Sequence, residues 1–195
     1  MTDKHYISPD SIKVTVAPTD LVVSVADLKT HLRVSHSDDD TYLQGVIKAA
    51  VKFVESYTRM VLPQTTFAAY YDKVDDLWIT RTPIQSITSI QYYDYADTLQ
   101  TISTNDYYTD LNDFPARVWF DQEFEVYTDR PAACIVTFVA GYADVADIDD
   151  SLKQVIKMIA ADMYDQRMSL VHGSSSRAVI DYQLLLNAWR KDYFA

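Results

Sequence analysis

Glycine is scarce in this chain. Only Gly45, Gly141 and Gly173 occur among 195 residues, against an average usage near 7%, which excludes a glycine-rich phosphate loop of either the P-loop or the dinucleotide-binding kind. Cysteine is scarcer still. Cys134 stands alone, so no disulfide can form within the chain, and a small core residue in a reducing compartment is the expected reading. No uninterrupted apolar run approaches the ~20 residues that cross a bilayer, and residues 1–18 lack the apolar centre of a secretory leader. The expectation is a protein that is not exported and does not engage a membrane. Positive charge is also short: 17 lysines and arginines face 28 acidic residues, for a net charge of -11. That balance disfavours general attachment to DNA or anionic lipid, which needs a basic footprint.

The acidity is uneven. Between Tyr92 and Arg130 nine carboxylates stand against two arginines. Hydrophobic content of 48% and charge of 23% are ordinary for a chain that folds around its own core.

Apolar periodicity divides the chain into three parts. Residues 12–16 alternate before Pro18 as a short strand. Ser24 and Asp27 resemble a capping box ahead of a short helix carrying Val25, Leu28 and Leu32. Asp38, Asp39 and Asp40 open a longer helix with Leu43, Val46, Ile47, Ala50, Val54 and Tyr57 on one face. Gly45 inside that helix costs about 1 kcal/mol against alanine, so close packing against a neighbour is its expected reason. The two helices form a hairpin.

From Pro63 the period becomes two. Residues 65–71, 78–80, 86–93, 107–109, 117–120 and 135–139 read as strands separated by turn residues. Ten of the fifteen tyrosines lie between Tyr57 and Tyr142, and half-buried sheet surface is their expected place. After Gly141 the period returns to that of a helix, with Leu152, Val155, Ile156, Ile159, Ala160 and Met163 in one stripe. Asp147, Asp149 and Asp150 stand at its start, where carboxylates cap free N–H groups. A flexible polar break at residues 172–177 precedes a last helix with Tyr182, Leu185, Leu186 and Trp189.

The fold class is therefore α+β: a helical hairpin and C-terminal helices forming a small bundle, with an antiparallel β-rich insertion between helix 2 and helix 3. The expected divisions are 1–62, 63–142 and 143–195, the first and last forming one helical domain.

Constellations for catalysis or metal binding are weak. His31 and His36 are five residues apart and do not share a helix face. Asp144, Asp147, Asp149 and Asp150 lack the glycine and terminal glutamate of a calcium loop. Ser174, Ser175 and Ser176 beside His172 lack the flanking glycines of a nucleophile elbow. No enzyme, cofactor or metal site is expected.

The order of the motifs is more informative. Val22-Val-Ser-Val-Ala-Asp-Leu-Lys-Thr-His-Leu-Arg-Val34 is followed by Asp38, Asp39 and Asp40, by Val54-Glu-Ser-Tyr-Thr-Arg59, and by Pro83-Ile-Gln-Ser-Ile-Thr-Ser-Ile-Gln-Tyr-Tyr-Asp94. Then come Pro115-Ala-Arg-Val118, Val136-Thr-Phe-Val-Ala-Gly-Tyr142 and Leu152-Lys-Gln-Val-Ile156. This succession resembles the head-to-tail connector, or adaptor, proteins of long-tailed bacteriophages and gene transfer agents, in the version with a β insertion between helices. Two departures stand out: Arg59-Met60 where relatives often have glycine, and Asn187-Ala-Trp189 where proline and tyrosine are common.

The resemblance implies a structural virion protein: a ring of about twelve copies under the portal, extending the DNA channel and joining the filled capsid to the tail. Implied partners are the portal protein, a tail-side neck or stopper protein and other copies of the chain, while DNA passes through the channel without specific binding. The implied location is the virion neck, with the host cytoplasm during assembly. The C-terminal segment commonly reaches the portal in that family. Here its implied contacts are Leu185, Leu186, Trp189, Arg190, Tyr193 and Phe194. The alternatives are another neck or tail-completion protein, or a monomeric ligand-binding β module using its tyrosine-rich face.

Overall fold

The computed structural model of the chain describes residues 6–127, 129–165 and 182–192. The chain is α+β and its sheets are antiparallel. In order it forms β1 (Ser11–Val16), α1 (Val25–Leu32), α2 (Asp40–Thr58), β2 (Thr65–Tyr71), β3 (Leu77–Ile79), β4 (Ile84–Tyr93), β5 (Leu99–Thr101), β6 (Tyr107–Asp110), β7 (Ala116–Phe120) and β8 (Cys134–Ala140). Then follow α3 (Asp150–Asp165) and α4 (Tyr182–Leu186), with single 3-10 turns at Val145–Asp147 and Asn187–Trp189. Two compact units result, one carrying the strands and one carrying the helices.

In the sheet unit, five strands lie in the order β1-β2-β8-β4-β5 and three in the order β3-β7-β6. β8 is central to the larger sheet, paired antiparallel with both β2 and β4. Its residues alternate in burial, Cys134, Val136, Phe138 and Ala140 facing inward. Phe138 lies opposite Phe67 of β2 with ring centroids 5.5 Å apart, an aromatic cross-strand pair of the kind that fixes register.

Tyr71, opposite Cys134, is fully buried and donates its hydroxyl to the Trp78 carbonyl at 2.8 Å. That bond ties β2 to the smaller sheet. Residues ahead of β1 add a second tie: Ile7 bridges Leu77, and Tyr6 stacks on Trp78 with centroids 5.8 Å apart. Of the ten tyrosines from Tyr57 to Tyr142, only Tyr95 and Tyr108 are exposed and only Tyr71 is buried; the others are half-buried, as expected of sheet surface with one wet side.

β1 is grouped with the helical hairpin on sequence order alone, but it belongs to the sheet unit. It pairs with β2 from Ser11 opposite Tyr70 to Val16 opposite Thr66. That partner is remote in sequence, and alternation within residues 12–16 carries no information about it. β5, all three residues exposed, was not expected as a strand.

In the helical unit, Leu28, Leu43, Ile47, Ala50, Val54, Leu152, Ile156 and Ala160 are buried on the stripes their spacing predicts. α1 starts at Ser24, whose hydroxyl oxygen accepts from the Asp27 amide at 3.0 Å. Val23 and Leu28, both buried, occupy the positions of a hydrophobic staple. α1 and α2 both end on an arginine in the left-handed region, Arg33 at φ 60° and Arg59 at φ 63°. The turn after α2, where the resemblance implies glycine, is thus closed here with Arg59, whose amide donates to the Glu55 carbonyl at 2.9 Å.

The left-handed conformation costs a residue with a Cβ about 1 kcal/mol that glycine escapes. The exposed Arg33 therefore marks a stabilising substitution: Arg33→Gly should raise the unfolding free energy by roughly 0.5–1 kcal/mol, read as a higher urea midpoint at unchanged slope.

Alkaline pH should act on β8 and its partner. Burial pushes the Cys134 thiol up from 9.0 to about 12, and also raises the Tyr71 phenol. The folded chain holds these protons where the unfolded chain has released them, so stability is full below about pH 9 and falls as pH rises above it. The urea midpoint should drop between pH 8.5 and 10.5, and Cys134→Ala should flatten the first part of that decline.

Candidate functional site

Of the residues implied as docking contacts, Leu185, Leu186, Trp189 and Arg190 lie at the C-terminal end of the described chain. α4 is a helix of five residues packed against α2 and α3. Neighbouring residues on a helix point in different directions, so Leu185 and Leu186 do not share a fate. Leu186 is fully buried in the helical unit, whereas Leu185 is 47% exposed. Leu184, absent from the expected contacts, is 70% exposed. Its signal was hidden because Leu184, Leu185 and Leu186 form an apolar run that periodicity alone cannot divide into inner and outer residues. Helical spacing across Trp189 is also interrupted, since the α-helix stops at Leu186 and a 3-10 turn carries Asn187, Ala188 and Trp189.

Beyond this turn the chain is tied to the C-terminal end of α2. The Lys191 amide donates to the Thr58 carbonyl at 3.0 Å, satisfying one of the acceptors a helix leaves unpaired at its end. Tyr57 donates its hydroxyl to Asn187 Oδ1. The Arg190 guanidinium lies 5.8 Å from the centre of the Tyr57 ring, close to the negative end of the α2 dipole. Tyr182 donates to the Asp162 carboxylate on α3. The segment is therefore anchored through Tyr182, Leu186, Asn187 and Lys191, and it presents Leu184, Leu185 and the exposed face of Arg190 outward. Tyr193 and Phe194 lie outside the described residues, as do His172 and the polar break at 172–177.

The acidic residues hold structure together locally. Asp144 Oδ1 accepts from the Ala146 amide at 2.8 Å, and Asp149 Oδ1 accepts from the Ser151 amide at 2.7 Å. The hydroxyl and amide of Ser151 hold the Asp149 carboxyl below its ordinary range. Of the three carboxylates expected to cap α3, Asp149 does so, whereas Asp144, outside that set, caps the 3-10 turn Val145–Asp147. At α2 the outcome differs: Asp39, the N-cap, makes no side-chain cap bond and instead accepts from the Tyr164 hydroxyl of α3 at 2.6 Å. Asp40 accepts from Lys29 of α1 at 2.8 Å. The carboxylates before α2 thus bind the three helices together, because the N-cap backbone, at φ -97° and ψ 3°, departs from the extended conformation a capping side chain needs. His36 Nδ1 is 3.9 Å from the Asp38 carboxylate.

Among the described residues no three of histidine, cysteine, aspartate and glutamate converge where a metal ion would sit. Cys134 is buried and its thiol is held protonated, the opposite of what a nucleophile needs.

The sheet unit has an open concavity of about 480 Å³, in which Asp75, Asp76, Asp121 and Glu123 surround Phe120 and Phe124. Asp75 is paired with Lys73 at 2.8 Å, and the hydrogen bond from Tyr108 to Asp121, helped by the carboxylate's charge, raises the phenol above its ordinary value. Four carboxylates around two rings, one of them paired with Lys73, leave the concavity acidic and unsuited to anions.

Comparison with known proteins places this arrangement. No curated protein matches in sequence. Three chains of gene transfer agent (GTA) particles share the fold over nearly their whole length. A chain from the neck of an empty GTA particle, computed with C6 symmetry, superposes with a TM-score of 0.73 at 18% identity, covering 95% of this chain and 97% of that one. A chain from the virion of a native GTA particle gives 0.73 at 18% identity, covering 94% and 97%. One from the neck of a native particle, computed with C12 symmetry, gives 0.72 at 17% identity, covering 95% and 97%. Residues 22–113 of the chain match the family of phage gp6-like head-tail connector proteins, which is the family its motif order resembles.

Proposed function

We propose that the chain is a head-to-tail connector: a structural protein of the virion neck that forms a ring under the portal, extends the DNA channel and joins the filled capsid to the tail. The observation that carries this reading is the connector-family match from residue 22 through α1, α2 and the first strands to residue 113. A fold shared over 95% of the chain with GTA neck proteins supports it. The role is structural rather than catalytic. About twelve copies form the ring, the portal lies on one side and a tail-side neck or stopper protein on the other, and assembly takes place in the host cytoplasm.

Physical features support the parts of this role. A closed ring is built from heterologous contacts, one face of a subunit meeting a different face of the next. Net acidity suits a channel through which DNA slides, because repelled phosphates release no counterions and gain no grip. The C-terminal segment is the portal contact. Its anchored residues position Leu184, Leu185, Trp189 and Arg190, and Tyr193 and Phe194 continue the same apolar and basic run. Leu186, though implied with them by the resemblance, acts from within: it is buried and holds α4 in place.

Native mass spectrometry and negative-stain imaging of the protein with its portal protein test the proposal. Rings, or monomers that close into rings on the portal, are the expected outcome; a persistent monomer indifferent to portal would overturn it in favour of a ligand-binding module. Within that experiment, Leu185→Ser combined with Phe194→Ser should leave the melting temperature nearly unchanged and weaken portal binding at least tenfold. Undiminished binding would remove the C-terminal segment as the portal contact.

A further inference from the structure

The surface of α2 divides into three stripes. Leu43, Val46, Ile47, Ala50, Val51, Val54 and Thr58 are buried in the helical unit. A polar stripe of Thr41, Gln44, Lys48 and Lys52 is exposed. Between the polar stripe and the core runs a third, made of Tyr42, Gly45, Ala49, Phe53 and Ser56, at helical steps and exposed throughout. Its two aromatic residues, Tyr42 and Phe53, are 41% and 39% exposed, the Tyr42 ring having on one side that of Tyr164 on α3, centroids 6.0 Å apart. This is a second apolar face on a helix whose first already fills the core.

Gly45 is the informative member. Glycine in a helix interior lowers stability relative to alanine, through the backbone freedom it loses on folding. A close neighbour within the fold would account for it, but a Cβ built at Gly45 meets nothing within 4 Å. The expectation that Gly45 packs closely against another part of its own chain is therefore not met among the described residues. A bare backbone flanked one turn away by Tyr42 and Ala49, with Phe53 beyond, is the form of a helix face that another chain approaches closely.

Charge indicates what approaches. Lys48 and Lys52 border the stripe, and Lys52 lies 3.6 Å from Glu55. The same unit exposes the opposite charge elsewhere, in Asp144, Asp147, Asp149 and Asp150 ahead of α3, Asp150 with its side chain fully exposed though 3.6 Å from Lys153, so the loop stays net acidic. A lysine-bordered apolar stripe and an acidic loop on one molecule are the two unlike halves of a heterologous contact.

We infer that the Tyr42–Gly45–Ala49–Phe53 face of α2 is the subunit contact of the ring, occupied by a second copy of this chain whose backbone packs against Gly45. The inference rests on the ring reading proposed above and adds the face that builds it. Aromatic residues at the centre of the face supply buried area, and the lysines and the neighbour's carboxylates set the direction of closure.

Gly45→Ala, Gly45→Leu and Phe53→Ser, each compared with the unaltered protein, provide the test. Circular dichroism should show all three folded, and the Gly45→Ala monomer should melt about 2–4 °C higher, since alanine favours the helix and meets no clash. Native mass spectrometry should show ring formation, alone or on the portal, reduced at least tenfold by Gly45→Leu and by Phe53→Ser. If these variants close rings as the unaltered protein does, the α2 face is not the subunit contact and the connector reading stands. Rings that form normally but no longer bind portal would assign the face to the portal and overturn a second copy as its occupant. An unaltered protein that never forms rings would overturn the ring reading, and this inference with it.

Discussion

The sheet unit depends on the pairing of β8 with two strands at once. β8 takes β2 along one edge and β4 along the other, every residue from Cys134 to Ala140 standing opposite a residue of β2. A strand so placed gives up both rows of backbone hydrogen-bonding groups to its neighbours, and only its ends remain for turns. Its side chains follow from that position. Val136 and Phe138 fill the interior, Ile135, Thr137 and Val139 cover the other side, and Cys134 is small enough to lie against Tyr71 and Tyr92, which are its partners in register. Because β8 comes last in sequence among the described strands, β2 and β4 acquire their common neighbour only when residues 42 to 75 positions later arrive. The sheet is thus assembled by non-local contacts, whereas α1 and α2 are closed by local ones.

That difference explains what could be read from the residues. The helices were legible because a helix records its partners in its own periodicity: Leu43, Val46, Ile47, Ala50 and Val54 of α2 are buried as their spacing selects, with Val51 and Thr58 joining them and Tyr57 only half-buried, and Ser24 announces the start of α1 by its chemistry. Strand positions were legible by alternation, and β2 falls at the expected residues 65–71. Strand partners were not. β1 lies against β2 rather than with the helices that follow it, and β5 pairs with Tyr93, Tyr92 and Gln91 through three exposed residues with no inward side chain to mark them.

The candidate docking segment was legible as a segment and illegible in its detail. Composition and resemblance singled out residues 182–195, but no pattern in Leu184-Leu185-Leu186 states that the third enters the core while the first two do not. That division is set by where α2 and α3 lie. The acidic residues teach the same lesson from the other side. Asp144 and Asp149 cap as their positions suggest, since capping is a local act. Asp39 and Asp40 look equally like caps, yet their carboxylates reach Tyr164 and Lys29 on other helices. A carboxylate's preference for the start of a helix is worth a few tenths of a kcal/mol to about 1, and a charge-assisted or phenolic hydrogen bond in a partly buried place outweighs it.

Some residues serve the fold and others are left over by it. Gly45 lowers the stability of α2, and a Cβ there would meet nothing within 4 Å among the described residues; beside it Phe53 is exposed, and Tyr42 is exposed on one side while its ring lies by that of Tyr164 on the other. Leu184 and Leu185 repeat the pattern on α4, where anchoring residues on either side hold an apolar pair outward. These exposed groups cluster on the helical unit at positions fixed by buried neighbours, Ile47 and Val46 beneath the α2 stripe and Leu186 beneath the leucines. An interface carried on elements already locked by their own core loses little conformational entropy when it is covered. In the connector role proposed above, the ring contact and the portal contact both lie on helices held by their own core, α2 and α4.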